Sequence, residues 1–373
     1  MVRNILNLKH IGLLTLVLFL VSCNDDENPD GGSDSFDRQA MLINLADNVI
    51  IPSYDSLASA TTSLKAKVEI LQVTVSSENI NLVKDQWKRT LSAWQYAGVY
   101  NFGPASDRSL IALFNLYPVS ATQIEENISG GNYNLESASN INAVGLQAVD
   151  YLLFGIEAES ASLADFFTNN PNHLTYLHDI VVLLDSKIQS TMQGWNQSYR
   201  STFVNATGTD IGSSLGQLVN ASIEYLETYV RDAKVGIPAG ARSSSGSPLP
   251  AQVEAFYNGS VSNDMLDKGL EGWKNMFLGN SLDGNQGSGL DDYLIFLGTT
   301  FDGNPLHEEI LNRLSLAQEK TLALNNDMKL AVVEEQDVCL EIFEELQRSI
   351  VLLKVDMTSA MGIQITYVDN DGD

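Results

Sequence analysis

The chain is short of cations, cysteines and histidines, and each shortage removes a class of function. Lys and Arg total 21 against 47 Asp and Glu, a formal net charge of −26. Nucleic-acid affinity rests largely on neutralising phosphates, so this charge excludes nucleic acid as a partner. It also opposes polybasic docking on anionic lipid. Cys23 and Cys339 are the only two cysteines and allow at most one disulfide. Four histidines occur, His10, His173, His178 and His307, and none stands in a His-Glu-x-x-His motif. Also missing are a Cys pair spaced for structural zinc, a Gly-Lys-Ser/Thr phosphate loop and a Gly-x-Ser-x-Gly elbow. No apolar run approaches the roughly 20 residues of a membrane-spanning helix.

What is present is a chain of 373 residues that is 44% hydrophobic, enough for a sizeable core and for two domains. Its first residues read as an address. Arg3 and Lys9 form a basic region and Ile11 to Val21 an apolar core, followed by Leu20-Val21-Ser22-Cys23. This pattern fits a lipoprotein signal peptide over 1–22, with Cys23 the lipidated residue. Residues 23–35, acidic and Gly-rich, read as a tether. The expected location is the outer membrane or cell surface, held by the lipid on Cys23. Cys339 is then alone and reads as a buried small hydrophobe.

The rest repeats apolar residues at helical spacing. One stripe is Ile80, Val83, Trp87, Leu91 and Trp94, with Ser77 as its N-cap. Others run from Leu177 to Trp195, Leu215 to Val230 and Cys339 to Leu353. Pro52 predicts a break or kink in the first helix, with Ser53 capping its continuation. Val73-Thr74-Val75 and Ile363 to Val368 alternate as short strands would. The fold class is all-α. Gly236 to Pro250 (GIPAGARSSSGSPLP) predicts a linker between a bundle over 36–235 and a second over 251–373. Asp150-Tyr151-Leu152-Leu153-Phe154 echoes Asp292-Tyr293-Leu294-Ile295-Phe296, and flanking Trp, Gly and Lys-Val features echo in the same order. This suggests two related bundles made by internal duplication.

Acids are plentiful, and most read as a solvated face. Asp337, Glu341, Glu344 and Glu345 share a helix face and could line a hard-cation site or solubilise it. Asp369 to Asp373 looks like a calcium loop but lacks the twelfth-position Glu.

Phe102-Gly103-Pro104, Gly145 to Gly155 (GLQAVDYLLFG), Lys234 to Pro238 (KVGIP), Gly289 to Leu294 (GLDDYL), Lys354 to Asp373 and the opening Asp47 to Pro52 together resemble the imelysin family. The resemblance implies an exported, often lipid-anchored, all-helical protein of two related bundles. Some members are classed as metallopeptidases that cleave insulin; others are tied to iron uptake and bind metal or haem-related cargo. The family's Gly-x-His-x-x-Glu motif puts a His and a Glu on one helix face to share a metal. Here that stretch is Gly145-Leu146-Gln147-Ala148-Val149-Asp150, so Gln147 stands for the His and Asp150 for the Glu. An amide oxygen is a weak ligand for zinc or iron and no general base near neutral pH. Asp150 is the one metal-ligand candidate left in the motif.

The candidate ligand-binding residues are Gln147, Asp150, Tyr151, Lys234, Asp291 and Asp292. Tyr151 follows the family pattern, or is a wedge with its hydroxyl at a rim. Lys234 either opposes a helix dipole or faces an anion between the halves. Asp291 and Asp292 are the second half's counterpart to Asp150, or solvated acids. The leading expectation is a cell-envelope lipoprotein that binds metal or haem-related cargo in iron acquisition without catalysis. The cofactor is open, with iron or another divalent cation in view, and a partner receptor is a further expectation. The alternatives are a metallopeptidase with ligands drawn from His173, His178 or His307, and a surface interaction protein with a dead metal site.

Overall fold

Helices take up nearly all the regular structure, as the 3.6-residue periodicity requires. The computed structural model describes residues 35–156 and 162–367. The expected signal peptide, Cys23, nearly all of the tether and the Asp369 to Asp373 loop lie outside the described residues. Asp37–Asp373 form one unit. No helix among the described residues is long and apolar enough to cross a membrane.

The first helix begins at Arg38, with the Asp37 side chain accepting from the Ala40 N–H. Pro52 does not break it. A π-helical stretch, Leu45–Ile50, leads directly into Ile51–Val73, so the chain is already in the wider i→i+5 pattern just before Pro52 withholds an N–H. Ser53 is no cap; its hydroxyl bonds back to the Val49 carbonyl at 2.7 Å. The next helix, Ser77–Ala97, is capped by Ser76, one residue earlier than its sequence suggests. Its stripe of Ile80, Val83, Trp87, Leu91 and Trp94 is buried. Ile51–Val73 packs on this helix and on Pro171–Gly194. Trp195 centres an aromatic cluster with Tyr54, Phe102, Tyr199 and Phe203.

Ser214–Glu224 continues as a π-helical run, Tyr225–Gly236. The Gly/Ser/Pro-rich stretch that follows is a series of turns folded onto the body. Gln336 donates to the Ala239 and Gly246 carbonyls. Ser262–Phe277 lies against both Ser77–Ala97 and Leu306–Ala323, and Gln336–Val351 packs on Leu306–Ala323 and on Tyr225–Gly236. Cys339 is buried and its thiol is pushed up to about 12, chiefly by desolvation.

Neither alternating segment forms a strand among the described residues. Val73 ends a helix, and residues 363–366 have no regular structure and lie against the Asn220 side chain, which accepts from the Thr366 N–H and donates to the Gln364 carbonyl. The one hairpin among the described residues pairs Thr300 with Pro305 and Phe301 with Asn304. Its turn residues Asp302 and Gly303 both have positive φ, 49° and 86°, the type I′ geometry that Asp-Gly favours.

Candidate functional site

Gly145 sets the entry to the motif. Its φ is +91°, and a Cβ would lie 2.7 Å from the Leu113 carbonyl oxygen and 2.8 Å from that of Phe114. Only glycine meets both demands. The short helix Leu146–Asp150 starts there and widens into a π-helical turn, Tyr151–Gly155. The Trp87 indole N–H donates to the Leu146 carbonyl at 2.8 Å, pinning the motif to the Ser77–Ala97 helix. At i and i+3, Gln147 and Asp150 share a face. That face meets the segment 251–259.

Both side chains are buried and both are spent on that segment. Gln147 Oε1 accepts from the Ala255 N–H at 2.8 Å, and its Nε2 donates to Asn115 Oδ1 at 2.8 Å. Asp150 Oδ2 accepts from the Tyr257 N–H at 2.9 Å and Oδ1 from the Asn258 N–H at 3.1 Å. Ala255 has φ +53°, a conformation L residues seldom adopt. Burial pushes the Asp150 carboxyl up to about 7, while the two backbone donors and Lys329 pull it back.

Beneath lies a second polar layer that sequence reasoning missed. Glu254 Oε1 accepts from Gln95 Nε2 at 2.9 Å and from Asn115 Nδ2 at 2.6 Å. Its other oxygen pairs with Lys234, and both partners are buried. Asn115 therefore links Gln147 to Glu254. Lys234 faces an anion, and the anion is the protein's own. Desolvation lowers the Lys234 pKa and Glu254 opposes the shift. A lone acid inside the apolar and aromatic run Val253 to Tyr257 was the available signal for Glu254; Asn115 and Gln95 had none.

A cavity of about 220 Å³ opens here. Tyr117, Pro118, Val119, Gln252, Phe256 and Tyr257 line it beside Gln147 and Asp150. Tyr151 stacks edge-on against Tyr257 with ring centres 5.1 Å apart. Its hydroxyl donates to Glu125 Oε1 at 2.7 Å, and Glu125 Oε2 lies 3.0 Å from His173 Nε2.

Asp291 and Asp292 are not part of this cavity. They open the helix Leu290–Leu297, where burial pushes the Asp291 carboxyl above the ordinary carboxylate range. The three described histidines are dispersed: His173 is beside Glu125, His178 beside Asp179 and His307 near Glu308. Among the described residues, no three of His, Cys, Asp and Glu are grouped to hold a metal ion. Nor do the motif's own donors fit zinc or iron: they amount to one weak amide oxygen and one carboxylate, with no imidazole or thiolate beside them, and each oxygen already accepts an N–H that fixes its side chain on the segment 255–258. On the Gln336–Val351 helix, Glu341 pairs with Lys320, and Glu345 with Arg313 and Arg348.

The sequence profile of the imelysin family matches residues 50–326. Iron-regulated protein A of Synechococcus elongatus is 22% identical over 261 residues, 66% of this chain and 67% of that protein. Two crystal structures share the fold. One, of an iron-regulated protein A precursor from Parabacteroides distasonis, has a TM-score of 0.70 at 18% identity, covering 86% of this chain and 95% of that one. The other, of an imelysin-like protein from Psychrobacter arcticum, has a TM-score of 0.68 at 17% identity, covering 89% and 97%.

Proposed function

This chain belongs to the imelysin family, and from that premise we propose that it is an exported, lipid-anchored protein of the cell envelope that binds cargo in iron acquisition and does not catalyse. The observation that carries this reading is the commitment of Gln147 and Asp150 to the backbone of residues 255–258. A side chain accepting a buried N–H leaves that donor orphaned if it turns to a metal, at a cost of about 1–3 kcal/mol for each group. Gln147 also has no basic atom with which to activate water. The altered motif therefore serves as a clamp on a cavity wall. An iron-related role is supported by the relative named iron-regulated protein A.

The cargo would enter the cavity walled by Tyr117, Phe256 and Tyr257, between residues of the first and second halves of the chain. Its volume of about 220 Å³ falls below the roughly 300–1,000 Å³ of drug-sized ligand sites. That suits a small chelate or one ring of a larger ligand better than an enclosed haem. The anchor would be the lipid on Cys23, at the outer membrane or cell surface.

The test uses the lipid-free chain from Phe36 onward. It is incubated with insulin B chain with and without Zn²⁺, and titrated with haem and with small ferric chelates. The reading expects no cleavage, and chelate binding that weakens in Tyr257→Ala. Zinc-dependent cleavage abolished by Asp150→Ala would overturn it. For the anchor, Cys23→Ala expressed in a bacterium with lipoprotein export should leave the membrane fraction.

A further inference from the structure

Ser77–Ala97 and Ser262–Phe277 pack tightly at Gly272, where a Cβ would lie 3.0 Å from the Gln95 carbonyl oxygen and 3.1 Å from Tyr96 Cα. N-terminal to that crossing on both helices, a groove of about 700 Å³ opens between them. Its lining includes Asp85, Lys88, Arg89 and Ser92 from the first helix and Asp264 and Lys268 from the second, with Tyr96 and, from Ile51–Val73, Ser56 adding hydroxyls. The first four stand at i, i+3, i+4 and i+7 and so form one face. None of these residues lines the cavity at Gln147.

The cations set this groove apart. Lys268 is paired with Asp264 one turn away. Lys88 and Arg89 make no ion pair, hydrogen bond or ring contact among the described residues, and Lys67 is the only other described Lys or Arg in that condition. Acids outnumber bases 47 to 21 in this chain, so a base should find a carboxylate partner easily. Two neighbouring bases left without one, on the wall of a groove, are instead available to an outside anion. An arginine fork matches a carboxylate in two parallel hydrogen bonds, and the lysine adds a point charge beside it.

We propose that this groove is a second binding site, which takes a small polycarboxylate anion through Lys88 and Arg89. The volume favours a molecule carrying several carboxylates over a single phosphate, since it falls within the usual range of small-molecule sites. Ser92 offers a hydroxyl to the same ligand. Lys268 can turn from Asp264 toward a carboxylate. Asp85 limits the number of negative charges the groove accepts. The site is independent of the cargo cavity, so either can fail alone.

The experiment is calorimetric titration of the lipid-free chain with citrate and, separately, with inorganic phosphate. Citrate should bind with one-to-one stoichiometry. Its affinity should fall at least about tenfold in the double variant Lys88→Gln, Arg89→Gln. It should be unchanged in Lys67→Gln, the control for an unpaired surface cation, and in Asp150→Asn, the control for the other cavity. Both Lys88 and Arg89 are exposed, so the double variant should keep its circular dichroism and melting temperature. No citrate binding at millimolar concentration would overturn the proposal. So would binding that survives the double variant, or phosphate binding tighter than citrate.

Discussion

Gln147 accepts a hydrogen bond at 2.8 Å from the backbone N–H of Ala255, a residue 108 positions later in the chain. The bond helps hold Ala255 at φ +53°, and with it the segment that walls the cavity. Where the resemblance implies a metal-binding histidine, this protein has a residue whose amide fastens one part of the fold to another.

Gln147→Ala should therefore cost stability. It leaves the Ala255 N–H and the Asn115 Oδ1 bond unfilled in a buried place, worth about 2–4 kcal/mol together. Urea denaturation measures this directly. A loss under about 0.5 kcal/mol, the range of ordinary surface changes, would contradict the clamp.

Asp150 gives stability a pH dependence. Its folded pKa of about 7 stands above the ordinary 3.8, so the folded state holds a proton that the unfolded state releases between those values. The contribution is complete below the ordinary carboxylate range and is lost as pH rises through about 7. Its full span is on the order of 4 kcal/mol. Between pH 5 and 8 the chain should lose stability, and Asp150→Asn should flatten that slope whatever its offset. Denaturation midpoints over this range decide it.

Lys234 and Glu254 are a buried pair. Lys234→Met removes one partner and leaves a carboxylate in the interior with only the amides of Gln95 and Asn115. The expected loss is about 3–5 kcal/mol, and Glu254→Leu added to Lys234→Met should recover much of it. A double-mutant cycle on melting data reads the coupling; strict additivity would contradict a buried pair.

Gly145→Ala should be among the most damaging changes of one methyl group. It meets both a φ of +91° and two carbonyl oxygens inside 3 Å. Since that backbone region, φ +91° with ψ −177°, alone costs an L residue about 1–3 kcal/mol, the total should exceed that, with a correspondingly lower melting temperature.

The helical stripes could be read from the sequence because burial selects one face at a fixed period. Trp87 and Trp94 lie where their spacing puts them. Pro52 makes no break because helix continues through it after a π-helical stretch, which no local pattern announces. The alternation in Ile363 to Val368 misled because an Asn220 side chain, 144 residues from Gln364, supplies the partner groups a strand would have used. Asp302-Gly303 did carry a turn signal, hidden by the brevity of its two-residue arms. Within the site, Gln147, Asp150 and Lys234 stood out by their place in a motif. Glu254 and Asn115 did not, since they matter only through contacts made across 139 residues. Asp291 and Asp292 were paired with Asp150 by the internal echo, but the fold puts them on another helix, away from the cavity.

The most direct test of the account is calorimetric titration of Zn²⁺ and Fe²⁺ into the lipid-free chain, run beside Gln147→Ala and Asp150→Ala. If Gln147 and Asp150 are a clamp on residues 255–258, the wild-type protein takes up neither metal with one-to-one stoichiometry at this motif, and the variants differ from it in stability alone. One-to-one binding at micromolar affinity that disappears in both variants would show a working metal centre and contradict the account.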